Sequence, residues 1–159
     1  MDLVAEPLTS AEFKPFGEVL PRPAEPGRFY FNDGLANGRP HATINLSLVR
    51  VVPTKTLPLT AKLLERHQFS SQTFLPLKVS RYLVIVAPDA PRGGPDVSRA
   101  RAFVAASDQG ITYRAGTWHH GITVLDEPGD FAVLMWCDGT SGDEEFVPLE
   151  TPFSVVVPD

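Results

Sequence analysis

Glu65, Arg66 and His67 stand side by side within LLERHQFSSQTFLPLK, a stretch that is otherwise apolar and β-prone. Histidine moves protons near neutral pH because its unperturbed pKa is about 6.5. A carboxylate beside it can act as base or orient the ring. If residues 65–69 form a strand, Glu65 and His67 share a face about 6.6 Å apart along the chain, and Arg66 points away. Gln72 follows His67 after four intervening residues. A second cluster lies in GITYRAGTWHH, where His119 and His120 follow a turn at Gly116. Consecutive strand residues face opposite ways, and His119 is the one expected to point inward. Glu65, His67, Gln72 and His119 can then reach one pocket. The bland alternative is a solvated strand in which Glu65 pairs with Arg66 or a neighbour.

The elements that must position these residues are mostly strands. ATINLSLVRVV sets Ile44, Leu46 and Leu48 on one side and Asn45, Ser47 and Val49 on the other. SRYLVIVAP is a near-continuous apolar run, as expected of a strand buried on both faces. RAFVAA, GITYRAGTW, GITVLD, DFAVLMWCD and FSVVV continue the series, separated by the turn signals APRGGPD, SDQG, EPGD and DGTSGD. Many short strands at this spacing suggest a sandwich or a closed barrel. TSAEF, residues 9–13, resembles a helix start, with Thr9 or Ser10 as cap and Glu12 in the first turn. PLTAKLLERH is ambiguous: a short helix is plausible over 59–64, with strand over 65–69.

Composition narrows the function classes. A length of 159 residues suits one domain with a real core. The net charge of -5 gives no invitation to nucleic acid or an anionic membrane. The single cysteine, Cys137, excludes an intrachain disulfide and a Cys-rich zinc site, and points modestly to a reducing, cytoplasmic setting. Cys137 sits in an apolar run and reads as a small hydrophobe rather than a nucleophile. The acidic N-terminus does not resemble a signal peptide, and no apolar run is long enough to span a bilayer. RGGPD lacks the setting of a phosphate loop, so no nucleotide or organic cofactor is expected.

The spacing Glu65-x-His67-x4-Gln72, followed by Gly116 and His119, resembles the two motifs of the cupin superfamily. Glu65 stands where that pattern has its first His, Gln72 where it has Glu, and Arg114 where it has Pro. Longer strings sharpen the likeness. LERHQFSSQTFLPLK, RAFVAASDQGITYRAGTWHH and DFAVLMW together resemble the ureidoglycolate lyase family, over roughly residues 8 to 140. One departure is Trp136-Cys137, where the family often has an Asp-Arg pair.

The resemblance implies a mainly β fold: one cupin-type β-barrel (double-stranded β-helix, or jelly roll) over residues 1–159, with a few short helices. It implies a homodimer, and cleavage of ureidoglycolate to glyoxylate and urea in allantoin breakdown. It also implies, for some members, a divalent metal, nickel or manganese, which here would fall on Glu65, His67, Gln72 and His119. Collapse of this carbinolamine needs a base for the hydroxyl proton and an acid for the departing urea nitrogen. His67, His119 and Glu65 are the candidates, with Lys78 expected to pair with the substrate carboxylate. Gln72, Arg66, Tyr113 and Trp118 are the further candidates for substrate contact. The alternatives are a cupin enzyme, or a small-acid-binding protein, acting on a related ureido or hydroxy acid. A metal-dependent oxygenase or isomerase is disfavoured by Gln72 in a ligand slot.

Overall fold

The computed structural model describes residues 1–158; Asp159, the last residue of the expected domain, lies outside the described residues. The chain runs β1 (Asp2–Val4), β2 (Glu6–Pro7), a one-turn helix α1 (Ser10–Phe13), β3 (Gly17–Pro21), β4 (Thr43–Val51), β5 (Leu59–His67), β6 (Gln72–Lys78) and β7 (Tyr82–Ala87). After a 3-10 turn (Val97–Arg99) come β8 (Arg101–Ala105), β9 (Gln109–Tyr113), β10 (Trp118–His119), β11 (Thr123–Val124), β12 (Gly129–Cys137) and β13 (Glu144–Val156). One sheet has the order β1-β13-β5-β10-β7-β8-β2, with β11 also on β7. The other has the order β3-β9-β6-β12-β4.

The main core lies between the two sheets. Tyr82, Val84 and Val86 of β7 and Phe103 of β8 meet Ile111 and Tyr113 of β9 and Phe131 and Val133 of β12. A second cluster covers the other face of the larger sheet, with Leu83, Ile85 and Ala87 of β7, Leu64, Trp118 and Phe153. Burial on both faces is why the β7 sequence is apolar without alternation. Helix α1 begins as its sequence suggests: Thr9 caps it, its hydroxyl accepting from the Glu12 N–H at 3.3 Å. The helix exists to deliver Phe13, fully buried, against the rings of Phe16, Phe103 and Tyr113.

The helix expected over 59–64 is not there; β5 is strand from Leu59 to His67. Its backbone groups are taken by β13, from Leu59 opposite Val155 to His67 opposite Glu144, with a register shift between Pro148 and Phe153. Leu, Lys and Ala tolerate either state, so long-range pairing decides. The strand ends at His67, and Phe69 belongs to the bend that leads into β6.

Candidate functional site

Strand alternation and two sheet registers assemble the site. His119 on β10 lies opposite Glu65 on β5 and opposite Val86 on β7. Val86 is an interior core residue, so His119 faces the interior, and its neighbour Trp118 must face out. Glu65 and His67 share the inner face of β5, and the two imidazole rings lie 6.0 Å apart. The facing sheet supplies Tyr113 of β9 and Gln72 of β6, which are direct cross-strand partners. The Tyr113 ring stacks on His119, with centroids 4.1 Å apart and planes 14° apart.

One hydrogen bond fixes which nitrogen of His119 carries hydrogen. Its Nδ1 is 2.8 Å from the Thr117 carbonyl, which can only accept, so Nδ1 carries a hydrogen. In the neutral ring Nε2 is then the basic nitrogen, and it faces Glu65 Oε1 at 3.5 Å. Two acceptors so placed call for a proton between them or a donor brought by a ligand. The His119 ring holds Glu65 below the usual carboxylate range, against the opposing pull of burial. Burial, with His119 nearby, lowers His67 below the ordinary histidine value, opposed by Asp143, Glu65 and Glu144. A neutral His67 is a competent base at neutral pH.

Asp143 joins the site although nothing in the sequence singles it out. Only 4% exposed, it lies in the turn before β13. Its Oδ1 accepts from the N–H groups of Phe69 (2.6 Å) and Ser70 (3.2 Å), tying down the bend between β5 and β6. Its Oδ2 sits 3.6 Å from His67 Nδ1 and 3.8 Å from the Arg39 guanidinium, which also meets Asp138 at 2.8 Å. The stretch DGTSGD reads in sequence only as a turn. Nothing local reveals that its last residue faces a histidine seventy-odd positions earlier.

Five buried polar atoms at this place make no hydrogen bond among the described residues: His67 Nδ1, Asp143 Oδ2, Gln72 Oε1, Tyr113 Oη and His119 Nε2. His67 Nδ1 and Asp143 Oδ2 face each other at 3.6 Å, and His119 Nε2 faces Glu65 at 3.5 Å, while Gln72 Oε1 and Tyr113 Oη face no charged group. Gln72 Nε2 finds only the Met135 sulfur, at 3.9 Å. Burial pushes the Tyr113 hydroxyl well above its usual pKa, so it stays a donor. Leaving such groups unpaired costs about 1–3 kcal/mol each, which marks the place where a polar ligand or water belongs.

Three sequence candidates are not brought here. Lys78 is exposed at the far end of β6, opposite Asp130 and some 20 Å along the strand from Gln72. Arg66 and Trp118 lie on the outer face. Arg66 covers the Trp118 ring at 4.4 Å and binds Glu145 and Asp89, and Trp118 Nε1 donates to Asp89. The alternation that puts His67 and His119 inside puts their neighbours outside. Trp136 follows Met135, whose sulfur meets Gln72, and so turns to the opposite face of β12.

The donors as they stand do not fit a metal centre. Among the described residues no three His, Cys, Asp or Glu side chains converge on one point. His119 Nε2, the nitrogen a metal would need, is paired with Glu65.

The ureidoglycolate lyase family model matches residues 1–157. A putative ureidoglycolate lyase of Agrobacterium fabrum is 38% identical over 157 residues, 99% of this chain and 96% of that protein. A ureidoglycolate lyase of a Chelativorans species is 37% identical, covering 99% and 98%. Among solved structures, a dTDP sugar isomerase from Desulfovibrio desulfuricans superposes with a TM-score of 0.50 at 17% identity, covering 86% of this chain and 84% of that one, a likeness of fold alone. Sequence similarity runs through every strand that carries the site, and the chain belongs to the ureidoglycolate lyase family.

Proposed function

We propose that this chain cleaves ureidoglycolate to glyoxylate and urea, in allantoin and purine breakdown in the cytoplasm, through five side chains on the barrel's inner face and Asp143 of the turn before β13. His67, held neutral by burial, takes the substrate's hydroxyl proton, and Asp143 stabilises the imidazolium that forms. The oxygen's electron pair closes the aldehyde carbonyl and the C–N bond breaks. The proton held between His119 Nε2 and Glu65 passes to the departing urea nitrogen. Tyr113 Oη donates to the substrate's oxygens, and Gln72 Oε1 accepts from its urea N–H groups. The observation that carries this reading is the convergence of the Glu65–His119 and His67–Asp143 pairs with two buried polar atoms that make no hydrogen bond, Gln72 Oε1 and Tyr113 Oη.

Purified protein mixed with racemic ureidoglycolate should release glyoxylate and urea in equal amounts above the spontaneous rate. In His67→Ala, with the fold retained, turnover should fall about 10²–10⁴-fold, the usual worth of a general base. Ammonia in place of urea, or release no faster than background, would exclude this reaction. A divalent metal, nickel or manganese, would have to draw Glu65, His67, Gln72 and His119 together. The same assay after chelation, with each metal added back, tests that arm.

The partner that fits the exposed surface is a second copy of the chain. Strand β4 ends its sheet and presents Ile44, Leu46 and Leu48 to solvent, 65%, 67% and 74% exposed, with the exposed Leu75 and Leu77 of β6 across the intervening β12. Such a patch is more than a monomer ordinarily leaves open. The antiparallel pairing of two identical edge strands is two-fold symmetric by construction.

A further inference from the structure

Behind the turn that carries the histidines lies a second cleft, of 590 Å³. It is lined by Arg99 of the 3-10 turn, Arg101 of β8 and the whole turn Arg114–Thr117, with Phe16 and Pro88 as apolar wall. Its size is that of a small-molecule site. Three arginines from separate segments meet here in a chain of net charge -5.

Their charges are not equally spoken for. Arg101 is held by the carboxylates of Glu6 and Glu12. Asp89, the cleft's acidic residue, is engaged by Arg66 and by Trp118 Nε1. The Arg114 guanidinium donates to the Lys14 carbonyl, which is neutral. The Arg99 side chain has no hydrogen-bond or ion-pair partner among the described residues. Arg99 and Arg114 thus line the cleft with no carboxylate paired to either, and the guanidinium fork matches carboxylate and phosphate oxygens.

The inner side of the same turn touches the catalytic pair. The Gly116 N–H donates to the His67 carbonyl at 2.7 Å, and the Thr117 carbonyl accepts from His119 Nδ1. The Thr117 hydroxyl and the Arg114 N–H both bond the Phe16 carbonyl, so the turn is gripped from both sides.

We propose that this cleft binds a small organic oxyanion, a carboxylate or phosphate, between Arg99 and Arg114. The bound anion bears on the turn that sets the positions of His67 and His119. The proposal stands apart from the activity above, because it is read by binding without turnover.

Calorimetric titration at constant ionic strength in chloride, with citrate in one arm and inorganic phosphate in the other, separates the two ligand chemistries. At least one arm should show saturable binding at one site per chain. Arg99→Ala, at an exposed position with no partner to lose, should weaken that binding about tenfold or more, the worth of one charge-assisted contact. The Gly116 amide resonance should move on titration in the wild-type protein. Absence of saturable binding in both arms, or equal binding by Arg99→Ala, would overturn the proposal.

Discussion

At the scale of single residues, the proposed reaction depends on what keeps His67 neutral yet ready to accept a proton. Burial and His119 lower its pKa while Asp143 raises it. Asp143→Asn removes the raising charge but keeps an oxygen for the bend between β5 and β6. The His67 pKa should then fall further, and the acid limb of the kcat/KM profile should move to lower pH. At the same time kcat should drop, because the imidazolium loses its counter-charge. Asp143→Ala removes the acceptor of the Phe69 and Ser70 N–H groups as well. It should cost about 1–3 kcal/mol of stability per stranded donor, read from urea denaturation. An unmoved acid limb in Asp143→Asn would show that the carboxylate only braces the backbone.

At the scale of elements, the turn between β9 and β10 shows how little sequence separates the site from failure. Gly116 sits at φ +83° with open space where a Cβ would point. Gly116→Ala therefore meets no clash, only the penalty of the left-handed region, about 1–2 kcal/mol. In a chain of this size that lowers Tm by roughly 2–8 °C. Because this residue's N–H holds the His67 carbonyl, kcat should fall with little change in KM. Period-two alternation made most of this arrangement legible: Glu65 with His67, His119 rather than His120, and the apolar β7. The same rule, applied to neighbours, places Arg66 and Trp118 outside. Lys78 lies away from the cluster for a different reason, because parity does not measure distance along a strand. Strand β5 over 59–64 and the role of Asp143 were not legible, since both are set by β13 and the turn before it, far away in sequence. The fold itself followed from strand spacing and family resemblance together.

At the scale of the whole molecule, β4 is half outside the core: Val49 and Val51 pack against it, while residues 43–48 are exposed. Its inner neighbours Asn45 and Ser47 are exposed, as are Ile44, Leu46 and Leu48 on its other side. Leu46 pairs in register with Leu134 and Leu48 with Ala132, so the patch continues from β4 onto β12. A charge at its centre should be harmless to a monomer and costly to an interface. The wild-type chain should sediment as a pair of copies, and Leu46→Lys should sediment as single copies with unchanged strand content by circular dichroism. A wild-type chain that sediments singly at all concentrations would leave the β4 patch to some other partner.

The stacking of Tyr113 on His119 has a spectroscopic consequence. Protons held over the face of an aromatic ring are shielded by its circulating electrons. The His119 carbon-bound protons should therefore resonate upfield of those of His41 and His120. Its lines could then be told from those of the other histidines by proton NMR. Filling the site with a ligand that tilts either ring would register as a downfield return of one pair of lines.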